Sequence, residues 1–237
     1  REPDFRVHFI DTPPQRGYPG VKGRCLLFDL DNTLYSERTG LLVHLDQRIE
    51  DFVVKALEIG PSAAQSLRLD YRRRYGTTLR GLMENHGLDP SAYIRYVYDV
   101  ELDRFLRPDP ALSAMLGRLP WPKAVFSNSP AAQVVRVLAA LGLSDRFDRI
   151  FGLEFANYLG KPDPMVYRRV LAALGLPGEA CVMIDDCAAN LAPARALGMT
   201  TVLLGRDEAP WVDFRLGSIL ELEEALLGLE PVRMGRT

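Results

Sequence analysis

Asp29 and Asp31 stand at alternate positions directly after the apolar run Cys25–Phe28, with Thr33 two residues further on. Two other apolar runs end in polar residues in the same way. Ala124–Phe126 leads into Ser127 and Asn128, and Cys181–Ile184 leads into Asp185 and Asp186. Lys161 lies in a loop just ahead of a helical stretch at 164–175. If the runs are parallel strands of one sheet, their carboxyl ends converge on a single crevice. That crevice then holds four carboxylates, a hydroxyl, an amide and an ammonium. Two like charges about 4 Å apart repel by about 4 kcal/mol at an effective dielectric near 20, against a total fold stability of about 5–15 kcal/mol. A hard divalent cation with oxygen ligands removes that penalty, and magnesium suits carboxylates combined with a phosphate. Any one of these acids alone would be an ordinary turn residue or helix cap. Four segments in this order point instead to a metal-and-phosphate site.

The elements that must position them follow from the hydrophobic pattern. The runs Cys25–Phe28, Ala124–Phe126, Cys181–Ile184 and Thr201–Leu204 are apolar continuously rather than alternately, as expected for parallel strands covered on both faces. Between the later runs, residues 130–142 and 164–175 carry helical spacing and stop at Gly142 and Gly175. Asp163 and Pro164 form a cap and first position for the second of these. Strand and helix alternate, which means an α/β, doubly wound, mainly parallel (Rossmann-like) sheet. One connection breaks the rhythm. About 90 residues separate Asp31 from the run at Ala124, whereas a crossover needs about a dozen. Leu42, Leu45, Ile49, Phe52, Val53 and Ala56 share one helical face there, and helical stretches follow at 62–75, 78–86 and 91–97. The expected organisation is an extended lead-in at 1–22, an α/β core at 23–35 and 108–237, and a small all-helical cap at 36–107 lying over the strand ends.

Composition narrows the partners. A hydrophobic fraction of 47% and a net charge of -2 describe an ordinary globular chain with no basic field for nucleic acid or anionic membrane. No apolar run approaches the length of a membrane span, and the first residues lack a signal peptide's apolar centre. The three cysteines form no CxxC pair, so neither a disulfide framework nor a zinc site is expected. A cytoplasmic protein acting on a small phosphorylated metabolite is the expectation, with no nucleic acid polymer and no membrane as partner; the oligomeric state stays open.

The four polar strand ends resemble the four motifs of the haloacid dehalogenase-like superfamily, from about residue 22 onward. Asp29-Leu30-Asp31-Asn32-Thr33 matches DxDx(T/V), Ser127 the second motif, Lys161 the third, and Asp185-Asp186 the fourth. "FDLDNTLY", "YGTTLRGL", "FSNS", "GKPDP" and "IDDCAAN" together resemble the pyrimidine 5'-nucleotidase group. The resemblance implies a magnesium-dependent phosphomonoester hydrolase that forms an aspartyl-phosphate, with UMP and CMP as substrates. It implies Asp29 as nucleophile and Asp31 as acid and base, with Thr33 helping to hold Asp31. It implies Mg2+ held by Asp29, the backbone carbonyl of Asp31, Asp186 and, directly or through water, Asp185. Ser127, the backbone amide of Asn128 and Lys161 would bind the phosphate, and Asn190 would orient the metal's surroundings. Crowding by carboxylates should raise the proton affinity of Asp31. The competing expectations are a phosphatase or phosphomutase acting on a sugar phosphate or phosphoglycolate, and a binding module without turnover.

Two further stretches bear on the leaving group. "YRRRYG" (71–76) lies in the expected cap, where a basic run reads first as a solvated face and second as a greeting for substrate charge. By motif position, Tyr75, Thr77 and Thr78 are placed against a base or ribose. The aromatic residues Tyr93, Tyr96 and Tyr98 read as packing within the cap.

Overall fold

The structure is a computed structural model that describes residues 24–205 and 208–227; the expected lead-in at 1–22 lies outside them. Six strands form one sheet: β1 (Cys25–Phe28), β2 (Lys123–Phe126), β3 (Arg149–Phe151), β4 (Cys181–Asp185), β5 (Thr200–Leu204) and β6 (Phe214–Leu216). The order across the sheet is β3-β2-β1-β4-β5-β6, and every pairing is parallel. The chain runs outward from β1 through β2 to β3, then returns to the other side of β1 to lay down β4. The crevice between the carboxyl ends of β1 and β4 is therefore a point where the winding reverses, the usual ligand position in such sheets.

Alternation along each strand sends neighbours to opposite faces. Leu26, Phe28, Val125, Val182 and Ile184 belong to one buried cluster, while Cys25, Leu27, Ala124, Phe126, Cys181 and Met183 belong to another. Both faces are covered, which is why the strands read as unbroken apolar runs. Helices α1 (Leu41–Leu57), α2 (Pro61–Tyr75), α3 (Thr78–His86) and α4 (Pro90–Val97) fill the long connection between β1 and β2. They are followed by α5 (Pro110–Arg118), α6 (Ala131–Ala140), α7 (Pro164–Leu174), α8 (Ala188–Ala196) and α9 (Leu222–Leu227). Residues of α7 and α8, including Val166, Tyr167, Val170 and Leu191, close one face of the sheet. Residues of α5, α6 and α9 close the other, and the inserted helices are continuous with that second cluster through Leu41, Leu45, Leu79 and Val97.

One local device recurs at three of these helices. Asp89, Asp109 and Asp163 each precede a proline, and their carboxylates accept from the backbone N–H of Ser91, Leu112 and Met165 at 3.0, 2.9 and 2.8 Å. An Asp-Pro pair satisfies one orphan donor and supplies a residue that lacks another, so it starts a helix sharply. No helix among the described residues is long and apolar enough to cross a membrane.

Candidate active site

Parallel pairing of β1 with β2 and with β4 brings the three polar strand ends side by side. Asp29 follows β1, Ser127 follows β2, and Asp185 closes β4. Lys161 reaches them from the loop before α7. Its ammonium donates to Asp29 Oδ1 at 2.8 Å and to Asp185 Oδ2 at 2.6 Å. All three side chains are buried, Asp185 and Lys161 almost completely. Burial pushes the Asp29 carboxyl well above its ordinary range, Lys161 opposes this, and the charges of Asp185 and Asp31 reinforce it. Burial by itself would lower the Lys161 ammonium, but Asp185 and Asp29 outweigh it and hold the group charged.

Asp185 is held on every side. The Cys187 N–H donates to its Oδ1 at 2.9 Å, and the Asn190 amide reaches both oxygens at 3.0 and 3.1 Å. Asn190 therefore orients Asp185 directly. Asp186 beside it is half-buried and pushed up to about 6, first by burial and then by the charge of Asp185, with a hydrogen bond from Asn32 acting the other way. One ligand oxygen from each of Asp29, Asp185 and Asp186 lies within 4.8 Å of the others. Asn32 Oδ1, buried next to them, has no hydrogen-bond partner. Hard oxygen donors, excess negative charge and an orphaned acceptor fit a divalent cation such as magnesium.

The Asp31 carboxylate is not part of that cluster. Tyr35 Oη donates to its Oδ1, and Ser129 Oγ donates to its Oδ2 at 3.0 Å. This corrects two expectations. Thr33 does not hold Asp31, because its buried hydroxyl is without a hydrogen-bond partner. The raised proton affinity of Asp31 also has a different origin: burial is its cause, and both hydroxyls, Lys161 and Arg72 work against it. The side chain of Asn128, which also lines the cavity, has a task of its own. Its amide nitrogen donates to the Lys161 carbonyl at 2.9 Å and its oxygen accepts from the Lys161 N–H at 2.7 Å. Asn128 thus fixes the loop that delivers Lys161, with both amide atoms engaged. Ser127 is buried and its Oγ accepts from the Ser129 N–H at 3.0 Å.

Over this floor opens a cavity of about 400 Å³. Its far wall comes from the inserted helices: Leu42, Leu45 and Ile49 of α1, Arg72 of α2, Thr77 and Leu79 at the start of α3, and Tyr93 and Tyr98 of and after α4. Floor and wall meet at two glycines. Gly76 has φ +79°, and a Cβ there would lie 2.7 Å from the Lys161 carbonyl oxygen. A Cβ on Gly160 would lie 2.9 Å from both Asn128 Oδ1 and Thr77 Cγ2.

A family model for haloacid dehalogenase-like hydrolases matches residues 24–198. The chain belongs to the haloacid dehalogenase-like hydrolases. Phosphate metabolism protein 8 of Saccharomyces cerevisiae is 28% identical over 216 residues, which are 84% of this chain and 66% of that protein. A phosphoglycolate phosphatase of Neisseria meningitidis is 28% identical over 229 residues, 86% of this chain and 93% of its own. The crystal structure of a HAD phosphatase from Thermococcus onnurineus superimposes with a TM-score of 0.58 at 23% identity, covering 88% of this chain and all of that one. The four motifs thus rest on the fold they implied, and with phosphatases among the relatives the expected phosphoric monoester hydrolase stands.

Within this family member, two residues that hold Asp31 escaped the motif reading. Ser129 sits two residues beyond Ser127 in "FSNS", and Tyr35 sits four beyond Asp31, where a Leu34 N–H to Leu30 carbonyl bond (3.0 Å) closes a turn through Asn32 at φ +58°. Of the residues placed against a base or ribose, Thr77 and Thr78 line the cavity. Tyr75 does not: it packs edge-on against Tyr71 and bonds with Asn85 at 3.1 Å. Tyr96 packs on Phe52, while Tyr93 does so and also lines the cavity.

Proposed function

We propose that the protein is a magnesium-dependent phosphomonoester hydrolase working through an aspartyl-phosphate on Asp29, with pyrimidine nucleoside 5'-monophosphates, UMP and CMP, as substrates. The observation that carries the chemistry is Lys161, buried between Asp29 and Asp185 with Asp186 alongside. A nucleophilic carboxylate needs its charge balanced while it waits and the incoming phosphate needs a cation, and one ammonium placed here does both. Asp29, Asp185 and Asp186 would hold Mg2+, which when bound supplies charge stabilisation to the phosphoryl oxygens.

An Asp29 oxygen attacks phosphorus in line while the bond to the leaving oxygen breaks. Asp31, whose proton affinity its burial raises, gives a proton to that oxygen. Water then attacks the phosphoryl group and Asp31 takes the proton back, which releases inorganic phosphate and restores the Asp29 carboxylate. Tyr35 and Ser129 fix the Asp31 side chain for both transfers. Lys161 stays within reach of the equatorial oxygens throughout, on a loop that Asn128 holds.

The pyrimidine reading is supported by the wording of the motifs and by a cavity wall of Leu42, Leu45, Ile49, Tyr93 and Tyr98, an apolar and aromatic surface suited to a base. Phosphoglycolate is the second reading, favoured by the relatives that carry that name. Phosphate release from UMP, CMP, AMP, phosphoglycolate and glucose 6-phosphate, with magnesium or EDTA and with Asp29→Asn as control, tests both. Magnesium-dependent turnover led by UMP and CMP supports the first. Turnover led by phosphoglycolate keeps the mechanism and replaces the substrate, and no turnover of any of them overturns the hydrolase.

A further inference from the structure

Helix α2 carries four arginines, and three of them have carboxylate partners. Arg68 is paired with Asp46 and Glu50 at 2.9 Å each, and Arg73 and Arg74 both reach Asp70. Arg72 has no hydrogen-bond or ion-pair partner among the described residues, yet it lines the cavity opposite the catalytic floor. Its charge is felt across that space, lowering the proton affinity of both Asp31 and Asp46. The same wall carries Arg73, which is paired with Asp70, and the rings of Tyr93 and Tyr98. Asp46 is held by Arg68, the Thr77 oxygen accepts from the Arg80 N–H at 3.1 Å, and Leu42, Leu45, Ile49 and Leu79 are apolar.

We propose that Arg72 selects the leaving group by donating hydrogen bonds to a carbonyl or carboxylate oxygen at the end of the substrate opposite its phosphate. This rests on the phosphatase reading, since the phosphate must sit at Asp29 for the other end to face α2. An apolar wall alone discriminates weakly, because one methylene more or less changes little. A planar guanidinium without a partner does more: it rejects a leaving group that leaves its donors unmet and accepts one with an oxygen in the fork. The O2 carbonyl is shared by uracil and cytosine, so a single arginine here would serve both UMP and CMP. The carboxylate of phosphoglycolate offers the same acceptor chemistry with a full charge. A leaving group such as phenol offers none beyond the ester oxygen.

The test compares kcat/KM for UMP and for phosphoglycolate, each as a ratio to phenyl phosphate, in the wild type, Arg72→Met and Arg72→Lys. Arg72→Met keeps the aliphatic stem and removes the donors. At least one of the two ratios is expected to fall about 10- to 100-fold, the loss typical of a hydrogen bond with a charged donor, and to fall through KM. Arg72→Lys recovers only part of it, since a point charge lacks the fork. Arg74→Met, off the cavity, leaves the ratios in place. A fall confined to UMP identifies the carbonyl, and one confined to phosphoglycolate identifies the carboxylate. Unchanged ratios overturn the inference, whether rates hold or fall equally for all three compounds. Calorimetric Kd values for the same compounds in an Asp29→Asn background give the same ratio without chemistry. Absent turnover would then sink the phosphatase reading, while the binding ratio still decides the role of Arg72.

Discussion

The two sides of the cavity are built on different terms. On the floor, Asp29, Asp185 and Lys161 are 6%, 0% and 1% exposed and bond to one another, so each fixes the next. On the helical side, Arg72 is exposed and unpaired among the described residues, on a wall that mixes Leu42, Leu45, Ile49 and Leu79 with Asp46, Thr77, Tyr93 and Tyr98. The floor is over-determined because charges removed from water must find partners. The helical side is under-determined at Arg72, whose exposed side chain bonds to no described residue, although Arg68, Leu79 and Tyr93 of the same wall are buried. On the proposed reading, chemistry common to many phosphate esters belongs to the first, and the choice among esters to the second.

The sharpest way to break that division is Asp29→Asn, which should reduce magnesium-dependent phosphate release by at least about 1,000-fold for every substrate, as loss of a nucleophile does. A rate within ten-fold of wild type would place the chemistry elsewhere. Next in size is a stability contrast between two cations. Lys161→Met leaves the Asp29 and Asp185 carboxylates uncompensated and should cost about 3–5 kcal/mol in urea unfolding with EDTA present. Arg72→Met should stay within about 0.5 kcal/mol; equal losses would erase the contrast. Asn128→Ala removes both hydrogen bonds to the Lys161 backbone and should cost about 1–3 kcal/mol, with kcat falling more than KM rises. A change in KM alone would return Asn128 to substrate binding.

The smallest effect concerns pH. Asp186 is raised to about 6, so the stability its protonated form supplies is full below the ordinary carboxylate range and is lost as pH rises through about 6. Metal-free protein should lose that contribution over this window. The rise in Tm on adding magnesium should grow across the same window, because the cation needs the ionised group. Melting curves at about pH 5 and about pH 7, with magnesium or EDTA, measure it. A magnesium shift that is flat or larger in acid would remove Asp186 from the cation's ligands.

How legible each part was in sequence follows the same division. The strands β1, β2, β4 and β5 announced themselves because burial on both faces confines polar residues to their ends, as at Lys123, Asp185 and Thr201. β3 and β6, three residues each at the two sheet edges, did not; Arg149 and Arg215 interrupt them, and edge strands tolerate such residues. The expected helices at 62–75, 78–86, 91–97 and 164–175 coincide with observed ones to within a residue at each end, helped by the Asp-Pro starts. Among the site residues, the motif acids and Lys161 were readable from type and place. The partners of Asp31 were less so, since Ser129 is 98 positions away in sequence and only the sheet order brings it near. Thr33 matched the family pattern better than Tyr35, yet a turn of chain delivers Tyr35 instead.

At Gly76 and Gly160 the two sides touch backbone to backbone and backbone to side chain, with no volume left for a methyl group. Evolutionary drift is therefore constrained differently along one short stretch: the side chain at position 72 bonds to no described residue and is held by what it does for the substrate, while position 76, four residues later, is closed to any residue with a side chain. A library aimed at new substrates should randomise 72 and 77 and leave 76 and 160 alone, since a methyl at either seam would pry the wall from the Lys161 loop and loosen the reaction machinery along with the specificity.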